Sequence, residues 1–216
     1  MNTVAAFFDV DETLINLKSM FHFYDYWCNE KGLNPQREEY TRRFKQDVQE
    51  GKRRELLNQE YYQQFINVSL AELVTFGQRW FLTCLNESHF IASGLSALRQ
   101  HQQRGDTVVF VSGSMQPILQ PIADCLAVEH LLCAPLIINE RGYLTGGIGT
   151  PQTIGNGKKE ALLAFCQQQG LQPAHCYAYG DDISDVPMLE ATGHPVCVGE
   201  NPALLNYAQL RGWRTI

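Results

Sequence analysis

Long apolar runs are missing from this chain. No stretch reaches the roughly eighteen consecutive apolar residues that a membrane-spanning helix needs, so no integral membrane segment is expected. The first residues lead almost at once into a short apolar stretch, with no charged-then-apolar leader before it, so no signal peptide is expected either. Paired cysteines are missing too. The seven cysteines are odd in number, scattered, and never form CxxC. That pattern speaks against a disulfide scaffold or zinc ribbon and reads as buried thiols in a reducing, cytoplasmic compartment. The six histidines show neither HExxH nor zinc spacing. GxGxxG and the GxSxG elbow do not occur. A P-loop is only hinted at by Gly155, Gly157 and Lys158: Gln152 stands where the upstream glycine belongs, and Lys159 where Ser or Thr belongs. Positive charge is in short supply, with 17 basic against 23 acidic residues and a net charge of −6, which argues against a general nucleic-acid binder. No internal repeat or low-complexity tail is present.

What is present suffices for a packed core. Apolar residues make up 44% of 216, enough for one domain or a core with an inserted second unit. The basic residues concentrate in residues 37–54, where seven stand against four acidic ones. Such a run reads as a solvated helix face, or as attraction for an anionic substrate or membrane surface.

The densest chemistry lies near the N-terminus. Val4 to Val10 reads as a short strand, apolar on both faces, as in the middle of a parallel sheet. The run stops at Asp9-Val10-Asp11-Glu12-Thr13. In extended backbone, residues two apart point the same way, so Asp9, Asp11 and Thr13 are expected to converge at the carboxyl edge of the sheet, where open α/β folds bind ligands. Two close carboxylates repel unless a cation holds them or one carries a proton. Mg²⁺ fits the first solution and a general acid the second.

Beyond Thr13 the pattern turns helical for about eighty residues. Phe21 to Leu33 suggests one amphipathic helix ended near Gly32, Tyr40, Phe44 and Val48 recur at helical spacing, and Leu56 to Ile66 suggests a third helix. Leu70 to Leu85 suggests a fourth, with Ser69 and Glu72 as a capping box. Helix and strand then alternate. Helices are expected over 88–103, 117–127, 158–169, 183–191 and 203–210, and strands over 107–111, 176–179 and 195–198. Leu131 to Ile138, apolar with β-branched residues, is read as turning at 139–142 into Tyr143-Leu144-Thr145 to make a hairpin, followed by a flexible run of Gly146, Gly147 and Gly149. The alternation implies a three-layer α/β core with a parallel sheet, and the helical block a small subdomain.

Three later stretches accompany the first: a strand ending in Ser112-Gly113-Ser114, the lysines at 158–159, and Gly180-Asp181-Asp182-Ile183-Ser184-Asp185. The four in order, spanning residues 9 to 185, resemble the haloacid dehalogenase superfamily, and a helical insertion after the first motif resembles its phosphoserine-phosphatase-like branch. The resemblance implies a Rossmann-like α/β core over 1–15 and 87–216, with an α-helical cap inserted at 16–86. It implies Asp9 as nucleophile and Asp11 as general acid and base. It also implies Mg²⁺ on Asp9 and Asp181, helped by the main-chain carbonyl of Asp11. Ser112 and Gly113 would bind phosphate, and Lys158 would neutralise it. The branch places its lysine twenty-three residues before the aspartate matching Asp181, which selects Lys158 over Lys159. Thr13, Asp185 and Asp182 would support the site, the alternative for Asp182 being a helix N-terminal carboxylate.

The implied function is Mg²⁺-dependent hydrolysis of a small phosphorylated metabolite through an aspartyl-phosphate. Transfer to an alcohol acceptor and a non-enzymatic phospho-aspartate switch are the alternatives. In phosphoserine enzymes of the branch, a Glu soon after DxDxT reads the substrate amine and a cap Arg reads its carboxylate. Lys18 and Glu60 stand at those places here. The reversal of charge predicts that phosphoserine is a poor substrate, and that a substrate carrying an anionic or polyhydroxy group toward Lys18 is better.

Overall fold

The computed structural model describes residues 3–216. The strands are β1 (Ala5–Phe8), β2 (Thr107–Ser112), β3 (His130–Cys133), β4 (Leu136–Ile138), β5 (Leu144–Ile148), β6 (Tyr177–Gly180), β7 (His194–Cys197) and β8 (Arg214–Thr215). The helices are α1 (Ser19–Lys31), α2 (Asn34–Gln49), α3 (Arg54–Gln63), α4 (Leu70–Cys84), α5 (Ala92–Arg104), α6 (Gln116–Cys125), α7 (Asn156–Gln169), α8 (Val186–Glu190) and α9 (Pro202–Arg211).

Six strands form one sheet in the order β3-β2-β1-β6-β7-β8, all parallel. Every residue of β1 is buried, as its unbroken apolar sequence requires for a central strand covered on both faces. Alternate β1 residues serve opposite sides. Phe7 packs with α7, α8 and α9 through Phe165, Met188 and Leu204, while Phe8 joins the side built from α1, α5 and α6. The chain winds from β1 outward through β2 to β3, then returns to β1's other side with β6. That reversal opens a crevice at the carboxyl ends of β1, β2 and β6, the usual ligand site of such sheets.

The four helices α1–α4 lack a core of their own. Phe23, Trp27, Tyr61, Phe65 and Trp80 form one continuous apolar cluster with Phe8, Phe110 and Ile118 from the sheet side. Aromatic edges supply much of the contact, as in Phe23–Trp80 with centroids 5.9 Å apart and planes at 88°. The backbones of α4 and α6 come close together. A Cβ on Gly77 would lie 1.9 Å from the Pro117 carbonyl oxygen.

The structure departs from the sequence reading at several places. The 131–138 stretch is two strands: β3 is the parallel edge of the main sheet, and only β4 forms the expected hairpin with β5, as a separate antiparallel pair. Pro135, which cannot donate to a ladder, stands at the break. Gly146 and Gly147 lie inside β5 rather than in a flexible run. Residues 183–185 form a 3₁₀ turn before the short α8, rather than one helix over 183–191. The terminal β8 was not expected from sequence; it adds the outermost strand beside β7.

Candidate active site

β1 ends at Phe8, so Asp9, Asp11 and Thr13 do not share a strand face. A compact turn gathers them instead. The Leu14 N–H donates to the Val10 carbonyl at 2.8 Å and the Glu12 N–H to the Ile15 carbonyl at 2.6 Å, with Glu12 left-handed at φ 60°. Such backbone in a non-glycine residue is held only by its surroundings. The turn sets the three side chains at the crevice: Asp9 is anchored by its N–H to the Tyr179 carbonyl (2.9 Å), and Thr13 Oγ1 donates to Asp181 Oδ1 (2.9 Å).

Lys158, in the first turn of α7, is buried between two carboxylates, 2.7 Å from Asp9 and 2.6 Å from Asp185. Lys159 is exposed and lines another groove, at the amino ends of β6, β7 and β8. Asp185 also accepts from the Asp182 N–H at 3.3 Å. It packs under Gly180, where a Cβ would lie 2.7 Å from its carboxylate, so the Gly-Asp-Asp turn needs glycine there. Asp182 caps the 3₁₀ turn by accepting from the Ser184 N–H, and it also takes Arg54 Nη1 (2.9 Å) from α3 and Asn201 (3.2 Å). Ser112 is buried at the end of β2, its Oγ accepting from the Ser114 N–H at 3.1 Å and its carbonyl from Thr153 Oγ1 at 2.5 Å. The Gly113 carbonyl accepts from Asn58 of α3 at 3.4 Å.

Asp9, Asp11, Lys158, Asp181, Asp182 and Asp185 line one end of a cleft of about 500 Å³. Its opposite wall is apolar, built from Met20, Phe21, Phe44, Val48 and Leu57, with the hydroxyl-bearing rings of Tyr40 and Tyr61. Lys18 and Glu12 lie together on the lining, 3.5 Å apart and largely exposed. Glu60 is not on the lining; Lys52, which is, holds it at 2.5 Å and Asp47 at 3.0 Å. The geometry thus removes the free carboxylate that the sequence reading placed at position 60, and it answers the charge of Lys18 with Glu12.

Negative charge is crowded into the floor. Burial pushes Asp9 up to about 6, against the pull of Lys158 and with Asp185 adding to the rise. Burial and the Asp9 charge push Asp11 up to about 7. Burial, then Asp9 and Asp185, push Asp181 up to about 8. Burial alone would depress Lys158, but Asp185 and Asp9 carry it above the ordinary lysine value. Asp9, Asp181 and Asp185 each offer an oxygen within 4.8 Å of the others. Buried carboxylates that one lysine cannot balance, with all-oxygen donors, fit a hard divalent cation such as Mg²⁺.

Sequence reasoning missed several contributors. Ser19 donates its N–H to Asp11 Oδ2 at 3.0 Å and meets Ser114 Oγ at 3.1 Å. Thr153, Asn58 and Arg54 reach the site from a loop and from α3. Only Arg54 carried a signal, as part of the basic run; the others are small polar residues in segments with no motif.

A family model described as haloacid dehalogenase-like hydrolase matches residues 6–190, which includes every motif residue from Asp9 to Asp185. A probable phosphatase of Mycobacterium tuberculosis is 37% identical over 122 residues, 56% of this chain and 42% of that protein, so the chain spans less than half that relative's length. A phosphoserine phosphatase of the same organism is 29% identical over 98% of this chain and 70% of its own. A histidinol-phosphatase of Neisseria meningitidis is 28% identical over 96% of each chain. A solved structure from Bordetella pertussis, of a protein with unknown function, superposes with a TM-score of 0.88 at 25% identity over 100% of this chain and 99% of that one. The ordered motifs, their meeting at the carboxyl edge of the sheet and the match over residues 6–190 place the chain among the haloacid dehalogenase-like hydrolases.

Proposed function

We propose that the chain is a Mg²⁺-dependent phosphomonoesterase that hydrolyses a small phosphorylated metabolite through a phospho-Asp9 intermediate. The observation that carries this reading is the pairing of a buried nucleophile with a free acid. Asp9 is held at 2.7 Å by Lys158, while Asp11 keeps one oxygen, Oδ1, buried without a hydrogen-bond partner among the described residues. A phosphate dianion repels an attacking carboxylate, so the site must supply positive charge and in-line placement. Lys158 supplies part of that charge, and the Ser112 hydroxyl with the Gly113 main chain would hold the phosphoryl oxygens. Asp9 and Asp181, with the Asp11 main-chain carbonyl and Asp185 nearby, would hold Mg²⁺, which when bound offsets phosphate charge. Asp9 attacks phosphorus, and Asp11 gives its proton to the departing alkoxide. Asp11 then takes a proton from the water that attacks phospho-Asp9.

Asp11→Asn tests this. Proton transfer is typically worth about 10²- to 10⁴-fold, so turnover should fall by that order and the phosphorylated protein should accumulate, seen by intact mass. Asp9→Asn should show neither turnover nor phosphorylation; wild-type turnover in Asp9→Asn would refute the mechanism.

The cleft wall supports a more specific reading of the substrate. Phe21 and Phe44, edge to face at 4.7 Å, and Val48, 49% exposed, offer apolar surface to the alcohol. With Lys18 answered by Glu12, that wall suits a ring-bearing or apolar alcohol better than a polyhydroxy one. This replaces the expectation of an anionic or polyhydroxy group toward Lys18. Of the substrates for which relatives are named, histidinol phosphate fits better than phosphoserine. The check is kcat/KM for L-histidinol phosphate, phosphoserine and glucose 6-phosphate; the wall argument is wrong if either of the last two is best.

A further inference from the structure

We infer that the main-chain N–H of Ser19 is a positioning group for the reaction, holding Asp11 by Oδ2 so that Oδ1 is the oxygen that passes protons to and from the reacting atoms. The inference rests on the reading of Asp11 given above and adds to it the group that orients the acid.

The first N–H groups of a helix have no partner within the helix. A side chain just before the helix usually takes one, but Lys18, at that position in α1, makes no such bond. Asp11, eight residues earlier in the chain, takes it instead: the Ser19 N–H meets Oδ2 at 3.0 Å. Ser19 is fully buried, and its hydroxyl meets Ser114 Oγ at 3.1 Å, while the Ser114 N–H bonds Ser112 Oγ at 3.1 Å. The start of α1 is therefore tied at once to the acid and to the strand end that would carry phosphate. Asp11 Oδ1, by contrast, is buried with no hydrogen-bond partner among the described residues.

The two oxygens thus have different roles. An oxygen facing an N–H donor accepts; a proton placed there would oppose the donor hydrogen. The carboxylic proton belongs on Oδ1. In the first half-reaction the Oδ1–H bond breaks as the leaving oxygen gains that proton, while the phosphorus bond to the leaving oxygen breaks and the bond to Asp9 forms. In the second, water loses a proton to Oδ1 as its oxygen bonds phosphorus and the phosphorus–Asp9 bond breaks. No other reactant is needed.

Ser19→Pro deletes this N–H. Proline is favoured at the first helical position, where its missing N–H breaks no helix bond. Lys18 has extended rather than helical backbone (φ −93°, ψ 100°), within about 20° of the range that a following proline favours. The readout is the dependence of kcat/KM on the leaving group, which a merely structural lesion would not change. p-Nitrophenolate departs without a proton and a simple alkoxide does not, so kcat/KM for phenethyl phosphate should fall about tenfold or more while that for p-nitrophenyl phosphate changes little. Ser19→Ala, which keeps the N–H, should retain the wild-type ratio of the two. Equal losses on both substrates in Ser19→Pro, or no loss on either, overturn the inference. Asp11→Asn run alongside separates the two failures. If it lacks the leaving-group effect, the role of Asp11 is wrong and the inference falls with it; if it shows the effect and Ser19→Pro does not, the inference alone fails. Should Ser19→Pro not fold, the Ser19 amide proton of ¹⁵N-labelled protein decides. It should resonate downfield in the wild type and lose that shift in Asp11→Ala; an unchanged shift overturns the inference.

Discussion

Lys158 shows how much one buried charge carries. It lies between Asp9 and Asp185, and removing it leaves two carboxylates buried and unpaired. Breaking such a pair typically costs about 3–5 kcal/mol. Lys158→Ala should therefore lower thermal stability by that order and abolish turnover, whereas the exposed Lys159→Ala should stay within about 0.5 kcal/mol of wild type. Thermal denaturation of both variants checks the assignment, which is wrong if Lys159→Ala is the costlier. The sequence offered two adjacent lysines, and only motif spacing chose between them. Ser19 offered nothing comparable: a serine six residues past Thr13 has no pattern, and its importance comes from where a helix happens to begin.

Helices announced themselves where local chemistry sets their ends. Ser69 caps α4 by accepting from the Glu72 N–H at 3.1 Å, and Gly32, Gly105 and Gly170 follow α1, α5 and α7 in the left-handed conformation that stops a helix. The strands that differ most from expectation, β3 and β8, take their form from pairing with β2 and β7, partners well beyond their own local sequence. Contact between elements was equally hidden. Gly77 in the middle of α4 looks like a weak helix residue, and in an isolated helix Ala would be better by about 1 kcal/mol. Here its Cβ would run into the Pro117 carbonyl, an unyielding backbone atom. Gly77→Ala should therefore destabilise the fold, by about 1–3 kcal/mol as for other overpacked sites. A gain in stability on denaturant titration would show that α4 and α6 are not so closely packed.

Across the whole molecule the crowded carboxylates couple stability to pH. Asp11 and Asp181 are raised to about 7 and 8 from an ordinary 3.8. The folded state then holds protons that the unfolded chain has released, so stability falls as pH rises through this range, by at most about 1.4 kcal/mol per pH unit for each carboxylate. His22 and His101, held below their ordinary 6.5 chiefly by burial, act oppositely but only up to about that pH. The window from pH 6.5 to 8 therefore isolates the acids. In EDTA, Tm should fall across it, and Mg²⁺ should raise Tm more at pH 8 than at pH 6.5. A flat or rising Tm in EDTA would remove the charge crowding from the account.

The chain's own order of residues determined the α/β class, the central strand and most helix ends, and it singled out Asp9, Asp11, Ser112, Lys158 and Asp181 as site candidates. Each of these depends on neighbours a few positions away: apolar runs, capping residues, and carboxylates set beside a strand end. Tertiary structure alone decided that a left-handed turn at Glu12, rather than strand alternation, gathers the aspartates. It also decided that Glu60 belongs to Lys52 and that the cleft wall is aromatic. It placed the start of α1 against Asp11 as well. These features join residues far apart in the chain, and their partners are selected by packing and burial, which no local pattern records.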